Sequence, residues 1–250
     1  FCKPGNLDLC RRNGLMALVK GASPEQAGAL AQDPTVWGWF VRDEPPEDQF
    51  AQVAGQVPAF HEADPAHPAY VNLMAWMDLG KYLETVTPRF LSYDYYQWWW
   101  GTHNHLWRLE VHRKAALEAG IPLICWIEGN ADKRWEMGEK GQTYLPDNEP
   151  KLRQSVYTSL AYGVKGIQWF NDFVLFEHAT GRRMLPELRR AGEDVRQLNA
   201  ELRALGPILM GLDQPAHILT PASSSRRVVN MTAIAAVDAQ IRAELRARNG

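Results

Sequence analysis

The sequence predicts an α/β fold in which a parallel sheet is covered by helices, and three observations carry that prediction. Six strand-like segments alternate with stretches of helical periodicity along the 250 residues. The strand segments, among them VWGWFV, AYVNLMA and PLICWI, are nearly continuous apolar runs, as strands buried on both faces require. Each run also ends in polar or aromatic residues: Lys20, Asp43-Glu44, Trp76 with Asp78, Asp94, Glu128, and Asn171-Asp172. An α/β barrel keeps its active site at the carboxyl ends of its strands, but an open doubly wound sheet does the same, so this pattern fits both. No G-x-G-x-x-G or P-loop follows any strand, which weakens the nucleotide-binding version of either.

The elements follow in order. A short helix is expected at Leu7 to Arg12, then Asn13-Gly14 leads into a buried strand, LMALVKG, from Leu15 to Gly21. Ser23 is placed to cap the next helix, with Pro24 in its first turn and Gln26 three residues on. VWGWFVRD forms the second strand, and helical periodicity resumes from Asp48 to Ala63. After the DPAHP turn come a strand from Ala69 to Ala75, a helical or irregular stretch, and a strand from Phe90 to Tyr96. A helix from Leu106 to Ala119 should stop at Gly120, since glycine readily takes the left-handed conformation that ends a helix. The strand Ile121 to Gly129, a polar loop, the helix Glu149 to Tyr162, the strand Gly163 to Asp172 and a long amphipathic helix from Pro186 to Leu205 complete the pattern. Residues 212–250 break from it and read as a β-like piece followed by a basic helix, leaving 1–211 as the main domain.

Composition narrows the function. A formal net charge of -2 and only short basic clusters, such as Arg182-Arg183, give no electrostatic reason to expect a nucleic-acid partner. No apolar run approaches the roughly 18 to 20 residues that span a bilayer, and the first residues do not read as a signal peptide. Cys2, Cys10 and Cys125 match no zinc spacing, and a Cys2–Cys10 disulfide is one open option. Ten tryptophans are unusual. Aromatic faces that stack on sugar rings are one use for them, and Trp98-Trp99-Trp100 is too dense a run for core packing alone.

The chemistry that fits best is hydrolysis by two carboxylic acids, one protonating a leaving oxygen and the other attacking or activating water. Strand side chains alternate, so Asp43 and Glu44 point to opposite faces while Pro45 ends the ladder. Glu44 and Glu128 close two strands separated by two others, which would face them across the mouth of a closed barrel. The alternatives for single residues are bland ones. Glu44 could cap the following helix, Asp43 could pair with Arg42 or Lys20, Glu128 could be a solvated turn residue, and Trp169 could be core. His103 and His105 would suit a metal only on a strand, and no third ligand is near in sequence.

WGWFVRDEP at one strand end and CWIEG three strands later resemble the retaining glycoside hydrolases of the large TIM-barrel clan that includes β-galactosidases and cellulases. The resemblance covers roughly residues 15 to 210 and implies a (β/α)8 barrel represented here by strands three to eight, with strands one and two expected before Phe1. It implies Glu44 as acid/base at the end of strand four and Glu128 as nucleophile at the end of strand seven. Asp43 stands where the clan usually has Asn. Asp43, Trp76, Asp94, Tyr96, Trp98, Trp126, Trp169 and Asn171 are the expected substrate contacts. The implied substrate is an oligo- or polysaccharide, no cofactor is required, and such a substrate favours an extracellular or periplasmic site. Burial against Trp37 or Trp39 is expected to keep Glu44 protonated, and a more polar setting to keep Glu128 ionised. Two other classes compete: a non-catalytic carbohydrate-binding barrel, and an enzyme using Asp43, Asp94 and Asp172 around a divalent cation.

Overall fold

The computed structural model of the chain describes residues 1–131, 147–170 and 186–210, with the side chains of the last stretch described for residues 190–206. The chain divides into two compact units. The first holds Phe1–Asp94 and Ala115–Pro122, and the second holds Tyr95–Lys114 with the described residues from Leu123 onward.

In the first unit, strands β1 (Ala17–Lys20), β2 (Val36–Asp43), β3 (Ala69–Met74) and β4 (Leu91–Asp94) lie in chain order, each parallel to the next. Helices α1 (Leu7–Arg12), α2 (Pro24–Leu30), α3 (Phe50–Ala63) and α4 (Leu79–Val86) alternate with them. Parallel neighbours need a crossover, and α2, α3 and α4 supply those between β1 and β2, β2 and β3, and β3 and β4. Ser23 caps α2 through a complete capping box with Gln26, as its spacing predicts. Gly38 is required by close approach: a Cβ there would lie 2.8 Å from the Pro68 carbonyl oxygen, which accepts the Trp39 amide. β1 is shorter than expected, because Leu15 and Met16 are exposed and lie outside it. Cys2 forms a parallel bridge to Val19 on the outer edge of β1. Cys2 and Cys10 are free thiols, so the local disulfide does not form.

In the second unit, β5 (Leu123–Glu128) pairs with β6 (Gly166–Phe170), also parallel. A one-turn helix α5 (Gln97–Trp100) precedes α6 (His105–Glu118), whose residues from Ala115 belong to the first unit. Gly120 ends α6 in the left-handed region, at φ +66. Helices α7 (Asn148–Ala161) and α8 (Pro186–Met210) pack on one another. Arg153 of α7 grips Glu201 of α8 through two bonds of 2.6 and 2.9 Å, and this fork holds the Glu201 carboxyl down at about 2. No helix among the described residues is long and apolar enough to cross a membrane.

Candidate functional site

The first unit collects its polar groups where β2, β3 and β4 end. Asn72 interrupts the apolar run of β3 and Ser92 that of β4, and the two meet. The Tyr70 and Ser92 hydroxyls lie 2.6 Å apart, Ser92 donates to Asn72 Oδ1 at 3.0 Å, and Asn72 Nδ2 donates to Asp43 Oδ1 at 3.4 Å. Buried polar atoms must be satisfied, and this chain of bonds does so while fixing the direction of the Asp43 carboxylate. Asp94, two residues after Ser92 and so on the same face of β4, is buried.

Glu44 follows at φ +43, one of two non-glycine residues in the left-handed region among the described residues. Its amide donates to the Asn72 carbonyl at 2.9 Å and Pro45 behind it is buried, which anchors the chain on both sides of it. Such a conformation costs on the order of 1 kcal/mol for a side chain with a Cβ. Glu44 caps no helix: the 3-10 turn Glu47–Gln49 starts from Pro46, and α3 starts from Gln49 without a side-chain cap. It lines instead a cleft of ≈ 560 Å³ together with Asp43, Lys20, Arg42, Gln49 and Gln56.

The second unit holds Glu128 at the end of β5, 1% exposed. Its Oε1 accepts the Trp98 amide at 2.7 Å. Burial pushes this carboxyl up to about 8, against the opposing pull of that bond. Burial thus favours its protonated form, where the sequence leads to the expectation of a polar setting that keeps it ionised. The Trp98 indole in turn donates to Ser155 Oγ at 3.1 Å and Lys151 O at 3.2 Å, while Trp99 donates to the Asn130 carbonyl at 2.9 Å. α5 thus hangs from α7 and the segment after β5, with one end of the turn aimed at Glu128.

The sequence-predicted residues separate into three groups. Asp43 and Glu44 line the cleft of the first unit, Asp94 is buried at the end of β4 level with Met74 of β3, and the exposed Trp76 stands just beyond the end of β3. Glu128, Trp126 and Trp98 lie in the second, with Trp126 and Glu128 on one face of β5 by alternation and Trp98 joined to Glu128 by its amide. The remaining assignments fail or fall elsewhere. Tyr96 is buried, with its ring stacked on Phe170 at 4.9 Å and flanked by Trp99 and Trp100, so it is core and offers no sugar platform. Trp169 donates its indole N–H to Asn199 of α8 at 2.9 Å, which puts it on the helix side of β6 instead of the floor of a subsite. Asn171 and Asp172 lie outside the described residues.

Other expectations are corrected in the same way. Trp39 is fully buried and its indole is bound to Asp64 at 2.9 Å, while Trp37 packs against Tyr70 and Phe90, so neither indole is placed as the shield expected for Glu44. Asp43 forms no ion pair with Arg42 or Lys20: Arg42 bonds Gln49, and the Lys20 ammonium sits 4.9 Å from the Phe40 ring centroid. His103 and His105 fall in a 3-10 turn and the start of α6. Among the described residues no three His, Cys, Asp or Glu side chains gather into a metal site.

Asn72 and Ser92 are the residues that sequence reasoning missed. Their signal is a lone polar side chain inside an apolar strand, which needs a partner once buried.

A family model described as phosphate acetyl/butaryl transferase matches residues 187–236. The NADP-dependent malic enzyme of Salmonella typhimurium is 50% identical over 46 residues, 18% of this chain and 6% of that protein, and the Escherichia coli enzyme matches over the same length at the same identity. Among solved structures, a β-galacturonidase from Eisenbergiella tayi is 15% identical with a TM-score of 0.48, covering 76% of this chain and 42% of its own. A family 5 glycoside hydrolase, a mannosidase from Rhizomucor miehei, is 12% identical with a TM-score of 0.44, covering 59% of this chain and 45% of its own. The chain thus spans 6% of the malic enzymes and less than half of these two glycoside hydrolases.

Proposed function

We propose that this chain is the carboxylate-bearing part of a barrel glycoside hydrolase and that Glu44 and Glu128 are its two acids. The observation that carries the reading is Glu44: a carboxylic acid held in a strained backbone conformation at a parallel strand's carboxyl end, lining a cleft, where a residue chosen only for folding would be glycine or asparagine. The tryptophans support sugar as the substrate, with Trp76 exposed past β3 as a stacking face. The burial of Glu128, which favours its protonated form, supports the following roles. Glu128 supplies the proton that the glycosidic oxygen takes as its bond to the anomeric carbon breaks and the electron pair passes to that oxygen. Glu44 attacks the anomeric carbon from the opposite face as that bond breaks, and water, giving its proton to the Glu128 carboxylate, then displaces Glu44 and releases the sugar. This order of roles is the reverse of the one the sequence resemblance implies, and it rests on the burial of Glu128.

The test is hydrolysis of aryl glycosides of several sugars, uronides included, by the intact protein and by Glu44→Ala and Glu128→Ala, with azide added. The expected result is loss of turnover in both variants and azide rescue that yields an inverted glycosyl azide from Glu44→Ala and a retained one from Glu128→Ala. Exchange of the two stereochemical outcomes would exchange the roles, and full activity in either variant would remove that residue from the mechanism.

A second reading, sugar binding without hydrolysis, is favoured by the 1% exposure of Glu128, since a carboxyl that a substrate cannot touch cannot protonate it. It is the conclusion if the intact protein binds a glycan but hydrolyses no glycoside of it.

A further inference from the structure

We infer that the cleft of the first unit accepts a sugar bearing an anionic substituent, and that Lys20 and Arg42 are the groups that read it. This deepens the proposed function and rests on it only for the word sugar. The cleft is lined by two cations and two carboxylates, yet the opposite charges do not neutralise one another. Asp43 is turned to Asn72, and neither Lys20 nor Arg42 forms an ion pair among the described residues. Arg42 is instead held by a neutral acceptor, Gln49 Oε1 at the start of α3, which leaves most of its five donors unused by that bond.

The backbone explains how Arg42 gets there. The β2–β3 register slips between Phe40 and Arg42, a bulge that re-aims the side chains after it. On the other side β1 ends level with Phe40, so its last residue, Lys20, extends over the Phe40 ring. The Lys20 ammonium lies 4.9 Å from the Phe40 ring centroid and 6.0 Å from that of Phe1, at the wall of the cleft that Lys20 lines, an arrangement that limits the freedom of an exposed lysine. A planar guanidinium fork and an ammonium that line one cleft together with Gln49 and Gln56 suit a carboxylate or sulfate on a sugar ring. A neutral hydroxyl would leave both charges unmatched.

The experiment is equilibrium binding, measured calorimetrically on the full chain, so that it needs no turnover. The probes are galacturonate, galactose 6-sulfate and galactose, tested against the wild type, Arg42→Met and Lys20→Met. Both residues are exposed, and thermal melts confirm that the variants fold. The expected result is at least ~10-fold tighter binding of an anionic probe than of galactose, falling to about equal binding in Arg42→Met and weakening in 1 M salt. Galacturonate exceeding the sulfate names a uronate as the ligand, and the reverse names a sulfated sugar. Equal binding of all three by the wild type, or a preference unchanged in both variants, overturns the inference. Selective anion binding without hydrolysis of any glycoside leaves this inference standing and removes the hydrolase. Hydrolysis of neutral glycosides without anion preference does the opposite.

Discussion

Glu44 and Glu128 each stand at the carboxyl end of a parallel strand, but the cost of keeping them there falls on different things. At Glu44 the cost is conformational: φ is +43, the side chain is half-buried, and water reaches the cleft it lines. At Glu128 the backbone continues β5 without strain in the left-handed sense, and the cost is solvation, seen in a carboxyl pushed up to about 8. The difference teaches that an acid can be pre-set in two ways. A strained turn fixes position and leaves solvation alone, whereas burial favours the proton and leaves position to backbone amides, that of Trp98 at 2.7 Å and its own.

Removing the charge that Glu128 resists should give the largest effect on stability. Its folded pKa is raised above 4.5, so the carboxyl favours folding fully below 4.5 and loses that advantage as pH rises through about 8. Glu128→Gln, which cannot ionise and keeps a carbonyl to accept the Trp98 amide, is therefore expected to be more stable than wild type by on the order of 3 kcal/mol at pH 7. The gain should vanish near pH 4. Denaturant unfolding at the two pH values checks this, and an equal stability of variant and wild type at pH 7 would mean that the carboxyl is solvated.

The second unit carries an opposing dependence, which sharpens the contrast with the cleft. His105 and His112 on α6 are both buried, and burial pushes each imidazole down to about 4. Among the described residues neither ring nitrogen of His105 has a hydrogen-bond partner. A depressed histidine leaves stability intact above 6.5 and removes it as pH falls toward 4, because the unfolded chain takes the proton first. His105→Phe should thus lessen acid destabilisation between pH 6.5 and 4 by roughly 2 to 3 kcal/mol, read from the same unfolding curves.

Ser155 tests how firmly α5 is hung. Its hydroxyl accepts from Trp98 Nε1 and lies 2.5 Å from Gln97 Nε2, both within reach of one small side chain on α7. Ser155→Ala takes the acceptor from Gln97 Nε2 and leaves the Trp98 indole with Lys151 O alone, and should cost about 1 kcal/mol. Asn72→Ala is the matching change in the first unit, since it removes the partner of both Ser92 and Asp43.

How much of this was legible depends on whether the cause is local. The capping box at Ser23, the stop at Gly120 and the strand Val36–Asp43 follow from neighbours in sequence, and the structure has all three where the sequence places them. Side-chain direction at strand ends was not legible, because it turns on register. The slip between Phe40 and Arg42 decides what Arg42 meets, and alternation along β6 decides that Trp169 meets α8. The burial of Glu128 was not legible for the same reason. A glutamate before Gly129-Asn130 reads as a solvated turn, and only the packing of β5 with its neighbours makes it buried.

The smallest expected effect is the most direct test of the conformational cost. Glu44→Gly removes the Cβ that the left-handed region penalises, but it also gives the unfolded chain more freedom, so the two contributions partly cancel and the net gain should be about 0.5 kcal/mol and no more than about 1. Glu44→Ala keeps the Cβ and so should show no gain, which makes the pair of variants a control for loss of the carboxyl itself. If Glu44 is retained for chemistry, both variants lose hydrolysis while the glycine variant is at least as stable as wild type. A glycine variant clearly less stable than the alanine variant would mean that the conformation carries no strain, and the case for Glu44 would then have to rest on the cleft alone.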